Sequence, residues 1–241
     1  MKNQVTVVVL CWLLVISGRI FAQDVVVPNV RDSIRDSFPG SYDGLTSTFD
    51  PSDVPVLLEM LESENDEEYW PRVLIALGLV GDGAVVDVLI EVIERPIIGP
   101  VYISRTQDDT RLEAIRALGV LAGRTDNEQA LNYLIESLDD SIWRRRNIQG
   151  VPSSFDSFDR YDRRLSIHAI FGLALSGHPR AGDALRSLQQ SPTPEQARLR
   201  NGLDDVLDSW LEVHDLVAER GLGGMYEYYA ERQLEAEREA Q

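Results

Sequence analysis

Three consecutive arginines, Arg144, Arg145 and Arg146, follow Trp143 in a chain that is otherwise strongly acidic. Guanidinium groups bind carboxylates, phosphates and sulfates through paired hydrogen bonds, so this run could hold the anionic group of a ligand. The run could also neutralise the acidic residues around it, and we favour this second interpretation. The acidic neighbours are Asp139, Asp140, Asp156, Asp159 and Asp162.

Other reactive side chains are few. The three histidines, His168, His178 and His214, have no metal-ligand spacing, and the sequence contains no calcium loop, nucleophile elbow or phosphate loop. We interpret His168 as a packed or partly exposed helix residue and His178 as a turn residue. We therefore predict no catalytic residue, no metal site and no cofactor, and we expect a protein that is not an enzyme.

The charge balance excludes further classes of function. The chain has 40 Asp and Glu residues against 23 Lys and Arg residues, a formal net charge of −17. A nucleic-acid partner is not expected, because neutralising phosphates requires a basic surface. Lys2 is the only lysine and Cys11 the only cysteine, and both lie in an N-terminal segment that we expect to be removed. The mature protein would therefore use neither an amine nor a thiol in chemistry.

The N-terminus has the pattern of a signal peptide. A short basic start precedes an apolar run at 5–16, and small Ala22 ends the segment. Arg19 interrupts the run before it reaches the length of a transmembrane helix, so no stable membrane span is expected after cleavage. We predict a signal peptide at 1–22, cleaved after Ala22, and a periplasmic or secreted protein. An uncleaved anchor and lipidation at Cys11 are the alternatives.

Three stretches of nine residues repeat along the chain, at 70–78, 111–119 and 164–172. Each has helical apolar spacing and ends in a bulky apolar residue followed by glycine. A short turn follows each stretch, and Asp82, Asp126 and the turn at Pro179 provide start signals for a second amphipathic helix. The second helices are predicted at about 84–93, 128–138 and 180–188.

The segments Ala76-Leu77-Gly78-Leu79-Val80-Gly81-Asp82 and Ala117-Leu118-Gly119-Val120-Leu121-Ala122-Gly123 resemble HEAT-like repeats. They are similar to the short class also found in phycobiliprotein lyases. The resemblance covers roughly 50–221 and implies a stack of antiparallel helix pairs. We therefore predict an all-α protein, an α-solenoid of about four helix pairs that each bury their apolar stripe against their neighbours.

The regions outside the repeats are less regular. Asp50 as N-cap, Pro51 at the first helical position and Asp53 two residues later predict a helix that begins the repeat domain. Toward the C-terminus, apolar residues continue at helical spacing up to Gly221, which we expect to end the last helix. The segment 23–49 is predicted as an N-terminal segment or linker with one short helix. The tail 222–241 is charged, and both an exposed helix and disorder are compatible with it.

Two insertions lengthen the repeats by about 11 and 23 residues, at 95–109 and 139–161. We assign both to the connection from the first helix of a pair to the second, so both should project from one rim of the solenoid. Their aromatic and arginine residues are of the types enriched at binding hot spots. The alternative is that the insertions pack on each other, or on the solenoid edge, as a lid. We favour packing, and the two interpretations are compatible.

Our first hypothesis is an exported, non-enzymatic α-solenoid that binds a protein or peptide partner through the rim that carries the insertions or through the concave face. The alternatives are a small-molecule-binding or lyase-like enzyme that uses a groove like that of the phycobilin lyases, and a purely structural spacer. The predicted partner-binding residues are Tyr102, Trp143, Arg144, Arg145, Arg146, Phe155 and Phe158.

Overall fold

A computed structural model of the chain describes residues 29–36, 48–95, 102–148, 151–152, 158–201 and 203–239. Within these residues the protein is almost entirely helical, as predicted, and its helices pack against one another. The predicted signal peptide at 1–22 and Phe155 lie outside them. The helices are α1 (Val30–Asp36), α2 (Val54–Glu62), α3 (Trp70–Val80), α4 (Val85–Glu94), α5 (Arg105–Thr125), α6 (Glu128–Glu136), α7 (Ile142–Arg145), α8 (Phe158–Ser176), α9 (Pro179–Gln190), α10 (Pro194–Arg200) and α11 (Asp204–Glu239).

The predicted start of α2 is confirmed in detail. Asp50 accepts a hydrogen bond from the backbone N–H of Ser52, and Asp53 accepts one from the backbone N–H of Asp50. This capping box starts a short 3₁₀ turn, Pro51–Asp53, that leads directly into α2. The helix α1 is tied to the rest of the protein by Asp66, whose fully buried carboxylate receives the guanidinium groups of Arg31 and Arg35.

The repeated glycines lie where helices come closest. The long helix α5 packs against both α3 and α8. A Cβ atom built on Gly78 would lie 3.0 Å from the backbone of Ala117, and one built on Gly119 would lie 2.1 Å from the carbonyl oxygen of Gly172. The helices continue past all three glycines, so these residues do not end helices but permit the close approach of neighbouring ones.

The second helices α4, α6 and α9 begin and end within about two residues of their predicted positions. One of their start signals is wrong. Asp126 adopts a left-handed conformation, with φ 53° and ψ 40°, and ends α5 rather than starting α6. The side chain that caps α6 is that of Asn127, which accepts a hydrogen bond from the backbone N–H of Ala130. Asparagine serves as well as aspartate at this position, because either side chain offers the acceptor.

The insertions do not lie between the first and second helices, as predicted, but after the second helices α4 and α6. Short turns join α3 to α4, α5 to α6 and α8 to α9, whereas the insertions connect α4 to α5 and α6 to α8. The predicted assignment is wrong because a short turn follows each repeated stretch directly, and the added residues come only after the next helix. The ends of the insertions pair with each other in a two-residue parallel ladder between β1 (Tyr102–Ile103) and β2 (Val151–Pro152).

The C-terminal region contains more breaks than the apolar spacing predicts. The run at 197–217 is divided between α10 and α11, and Leu203, in the short link that joins them, is buried. Gly221 interrupts α11 with φ 72° and ψ 173°, a conformation that glycine adopts without strain. Helix resumes after this kink and continues to Glu239, and Met225 is 4% exposed, so the start of the tail packs on the core.

Apolar side chains from α1 through to the start of the tail form one contiguous core, from Ile34 to Met225. No helix among the described residues is both long and apolar enough to cross a membrane.

Candidate functional site

The short helix α7 anchors the second insertion in the core. Trp143 is 0% exposed, and its indole N–H donates a hydrogen bond of 2.8 Å to the hydroxyl of Ser166 in α8. The ring also meets Tyr133 of α6 edge-on, with the centroids 6.4 Å apart. Trp143 therefore presents no surface to a partner in this conformation, and its aromatic area stabilises the junction of α6, α7 and α8.

Arg146 is packed almost as tightly as Trp143. Its guanidinium carbon lies 3.6 Å from the centroid of the Tyr133 ring and 5.3 Å from that of Trp143. It donates hydrogen bonds to the hydroxyl of Ser137 at 2.6 Å and to the carboxylate of Glu136 at 3.2 Å. A guanidinium held between an aromatic face and a carboxylate has little capacity left for a ligand.

The other two arginines of the run are exposed but paired. Arg144 contacts the carboxylates of Asp159 and Asp162, the second at 3.0 Å, and Arg145 contacts Asp139 at 2.8 Å. Burial raises the pKa of Asp162, although Arg144 opposes this effect. The side chains of Arg144 and Arg145 remain 56% and 59% exposed. The prediction that the neighbouring acids neutralise the arginine run is confirmed for these pairs.

The remaining predicted partner-binding residues are placed only in part. The backbone of Tyr102 lies in β1, paired with Val151, and Phe158 begins α8. The ladder therefore confirms that the two insertions contact each other. The structure brings the arginine run, Trp143 and the start of α8 together, and it places Tyr102 on the neighbouring insertion.

A buried polar network lies beneath the insertions, and the sequence did not reveal it. Arg111 is 3% exposed and donates hydrogen bonds to the carbonyl of Ile93 at 3.0 Å and to the hydroxyl of Tyr161 at 3.2 Å. Asp108 pairs with Arg164 at 2.9 Å, and burial raises the pKa of this carboxyl against the opposing effect of Arg164. Buried charges of this kind persist only when they are paired, so the network is first of all structural.

Two shallow clefts lie on the surface beside the second insertion. The first, of about 540 Å³, is formed by the end of α6, by α7 and by the start of α10. The second, of about 490 Å³, lies between α4 and α6, and Glu136 borders both. Residues that line the first are Ile135, Glu136, Asp139, Ile142, Arg145, Thr193, Glu195 and Gln196; those that line the second are Ile90, Gln129, Asn132, Tyr133 and Glu136.

Two of the histidines have roles in packing and helix capping. Burial lowers the pKa of His168 to about 3, and the nearby charges of Arg116 and Arg164 act in the same direction, so His168 is a neutral packed residue, as predicted. His178 caps α9 and contacts Asp126 at 2.7 Å. Across the described part of the chain, no group of three or more His, Cys, Asp or Glu side chains could hold a metal ion.

A cavity at the opposite end of the long helices was not foreseen either. It has a volume of about 410 Å³ and is bordered by the C-terminal ends of α3, α5 and α8 and by the kink at Gly221. Among the described residues that line it, Arg124 is the charged one. The cluster Gly221-Leu222-Gly223-Gly224 was the available signal, because glycines this dense within a helical segment indicate a break or a close approach.

Comparison of the sequence with known family models, with curated proteins and with solved structures finds no match.

Proposed function

We propose that this protein is an exported, non-enzymatic helical-repeat scaffold of the HEAT-like type that binds a protein or peptide partner. The surface that would bind the partner lies beside the second insertion. The single observation that carries the proposal is the pair of adjoining clefts on α4, α6, α7 and α10 that meet at Glu136.

The repeat part of the proposal is supported by the correspondence between helices. Gly78, Gly119 and Gly172 occupy equivalent positions in α3, α5 and α8, and each lies at a close contact with a neighbouring helix. A second helix follows each of these three after a short turn. Such a recurrence favours a stack of helix pairs, in which equivalent connections gather on one edge and form an extended binding surface.

The chemistry of the clefts suits an extended peptide. Ile135 and Ile142 are half-buried and provide an apolar floor, while the amides of Gln129, Asn132 and Gln196 can hydrogen-bond to a peptide backbone. Three acidic residues, Glu136, Asp139 and Glu195, border the first cleft. Glu136 pairs with Arg146 and Asp139 with Arg145, whereas Glu195 has no ion pair among the described residues. We therefore expect a partner segment that combines apolar and basic side chains.

The test is crosslinking in the native host with carboxylate-reactive reagents, followed by mass spectrometry. Amine-reactive reagents are unsuitable, since Lys2 is the only lysine. We expect crosslinks from Glu136 and Glu195 to one partner and none from Asp183, a side chain that is 82% exposed and does not line the clefts. Crosslinks spread evenly over exposed acids, or absent altogether, would instead favour a structural spacer.

Variants then separate binding from folding. Glu195→Lys reverses one charge at the cleft, and Gln196→Trp fills part of it, so both should weaken co-purification of the crosslinked partner several-fold. Asp183→Lys is the matched control, because it reverses the charge of an equally exposed acid outside the clefts. Retention of the partner by both cleft variants would contradict the proposal.

A small-molecule-binding protein is the second candidate. The specific observation in its favour is the cavity of about 410 Å³ at Arg124, which falls within the range of volumes typical of ligand pockets. Lyase-like chemistry receives no comparable support, because the described residues that line this cavity include no histidine or carboxylate.

A further inference from the structure

The cavity at the C-terminal ends of α3, α5 and α8 is lined largely by apolar side chains. Leu79 and Val80 end α3, Val120 belongs to α5, and Leu175 precedes the last residue of α8. Val217 and Leu222 of α11 complete the apolar surface. The cavity lies at the other end of α5 and α8 from the insertions, so it is independent of the clefts proposed above to bind a partner.

The kink in α11 shapes this cavity. Gly221 and Gly223 both line it, and the left-handed φ of 72° at Gly221 redirects the chain so that Leu222 also borders the space. A Cβ atom built on Gly223 would meet no atom within 4 Å. The space beside Gly223 is therefore open, and a larger side chain at this position would occupy it without a backbone clash.

Arg124 is the cationic group at the cavity. Its Nε–H and one of its Nη–H groups donate to the carbonyl oxygens of Gly78, at 3.4 Å, and of Gly81. Among the described residues it forms no ion pair, in contrast to Arg144 and Arg145. A guanidinium has five N–H donors, and only two of those of Arg124 bond to residues that the structure describes. Burial of part of the guanidinium lowers the pKa of Arg124, although the residue as a whole is exposed to solvent.

We propose that this cavity binds an amphiphile with a single carboxylate, whose apolar part fills the cavity and whose carboxylate pairs with Arg124. An apolar lining with one convergent polar group is the usual composition of a small-molecule site. The paired N–H groups of a guanidinium match the geometry of a carboxylate. The partial negative charge at the C-terminal ends of the three helices opposes anions, and it opposes a dianion such as a phosphate monoester more strongly than a single carboxylate paired with Arg124.

The test is isothermal titration calorimetry of the full chain with decanoate at neutral pH in moderate salt, which screens the net negative charge of the protein. Decyltrimethylammonium, a cation with the same chain length, is the matched probe. Both are used below the concentrations at which they form micelles. We expect decanoate to bind with a stoichiometry of one and decyltrimethylammonium to give no saturable heat.

Two variants test the two parts of the site separately. Arg124→Gln removes the charge and should weaken decanoate binding by about tenfold or more, since a hydrogen bond to a charged group is lost. Gly223→Leu adds a bulky apolar side chain at the lining of the cavity, leaves the hydrogen bonds of Arg124 in place and should also weaken binding. Arg186→Gln is the control, because Arg186 is exposed, pairs with Asp215 and does not line the cavity.

Several outcomes would overturn the proposal. These are the absence of saturable heat with decanoate, equal binding of both amphiphiles, and unchanged decanoate binding in Gly223→Leu. Circular dichroism of each variant separates loss of binding from loss of fold, and Gly223→Leu remains informative if Arg124→Gln does not fold. Glu195→Lys should leave decanoate binding unchanged, so failure here is distinguishable from failure of the proposed partner site.

Discussion

The two ends of α5 and α8 differ in how their arginines are used. At the end that receives the insertions, Arg144, Arg145 and Arg146 each contact at least one carboxylate, and Arg164 pairs with the buried Asp108. At the opposite end, beside an apolar cavity, Arg124 bonds to backbone carbonyls and to no carboxylate in the described part of the chain.

This difference shows that the arginines most conspicuous in the sequence are not necessarily those that can bind a ligand. A dense arginine run in an acidic segment meets its counter-charges within a few residues or across one helix interface. Arg124, at the end of α5, instead lies against backbone carbonyls, although an acidic residue, Asp126, follows two positions later and contacts His178. The arginines of the insertion end are therefore neutralised by carboxylates, whereas Arg124 at the cavity end is hydrogen-bonded to carbonyls and has no ion pair among the described residues.

The largest expected effect tests whether the insertion end is structural. Trp143→Ala should destabilise the protein by about 3–5 kcal/mol, because it empties a fully buried aromatic position and leaves the hydroxyl of Ser166 unpaired. Leu222→Ala, at a half-buried position of the cavity, is the control and should cost about 1 kcal/mol. Urea unfolding followed by circular dichroism measures both, and equal effects would remove the contrast between the two ends.

The second prediction concerns the close contact between α5 and α8 at Gly119, which lies between the two ends. Gly119→Ala should destabilise the protein by at least about 2 kcal/mol, since the added Cβ would lie 2.1 Å from the carbonyl oxygen of Gly172 and force α5 and α8 apart. Gly223→Ala meets no such obstacle and should stabilise its helix by up to about 1 kcal/mol. Thermal unfolding should therefore show a lower Tm for Gly119→Ala and a higher Tm for Gly223→Ala if α5 and α8 are as close as described.

The third prediction compares two arginines directly. Arg146→Gln should cost about 2 kcal/mol, because it removes the pairing with Glu136 and the stacking on Tyr133. Arg124→Gln should cost about 1 kcal/mol or less, as only hydrogen bonds to carbonyls at a partly exposed helix end are lost. If chemical denaturation ranks the two variants in the reverse order, Arg124 has a larger structural role than its contacts indicate.

The smallest effect is a dependence on pH. Burial raises the pKa of Asp108 in the folded protein above its unfolded value, so the charged form is less favourable in the fold. This unfavourable contribution is present above the folded-state pKa and is relieved as the pH falls toward the unfolded value of about 3.9. As the pH falls from 7 to 4, the free energy of unfolding of the original protein should therefore rise relative to that of Asp108→Asn.

Asp66 provides the opposite case at the N-terminal end. Burial alone would raise the pKa of Asp66, but hydrogen bonds from Arg35 and Ser63 and the charge of Arg31 outweigh it, and the pKa is lowered. Its contribution to stability is present above the unfolded value of about 3.9 and is lost as the pH falls through the lower folded-state pKa. Urea titrations at several pH values measure the stability of the original protein relative to Asp66→Asn and to Asp108→Asn. As the pH falls, the first difference should decrease and the second should increase.

Helix positions followed from local features of the sequence. The capping box at Asp50 and the apolar spacing of α4, α6 and α9 are properties of a few neighbouring residues, so they could be read without knowledge of the fold. The function of Gly119 could not, since its obstacle is a backbone oxygen of another helix. The same limit explains why the insertions were assigned to the wrong connection, because the spacing between glycines does not show on which side of the intervening helix the added residues lie.

At the candidate sites, too, contacts between residues close in sequence could be predicted and contacts between distant residues could not. The acidic neighbours of Arg144 are close in sequence, so neutralisation could be foreseen. The carbonyls that bind Arg124 come from Gly78 and Gly81, more than 40 residues away in the chain. Trp143 is of the type expected at an interface, but that type is equally suited to a core, and composition does not distinguish the two.

The ladder between β1 and β2 has a consequence for the order of folding. Its strands are about fifty residues apart in sequence, and the chain between them forms α5, α6 and α7. Two residue pairs are too few to hold such a loop closed, so we expect the ladder to form only after α5 and α8 have packed. The amide protons of this ladder should then be among the last to gain protection during refolding, and their exchange would report whether the insertions have reached their final positions.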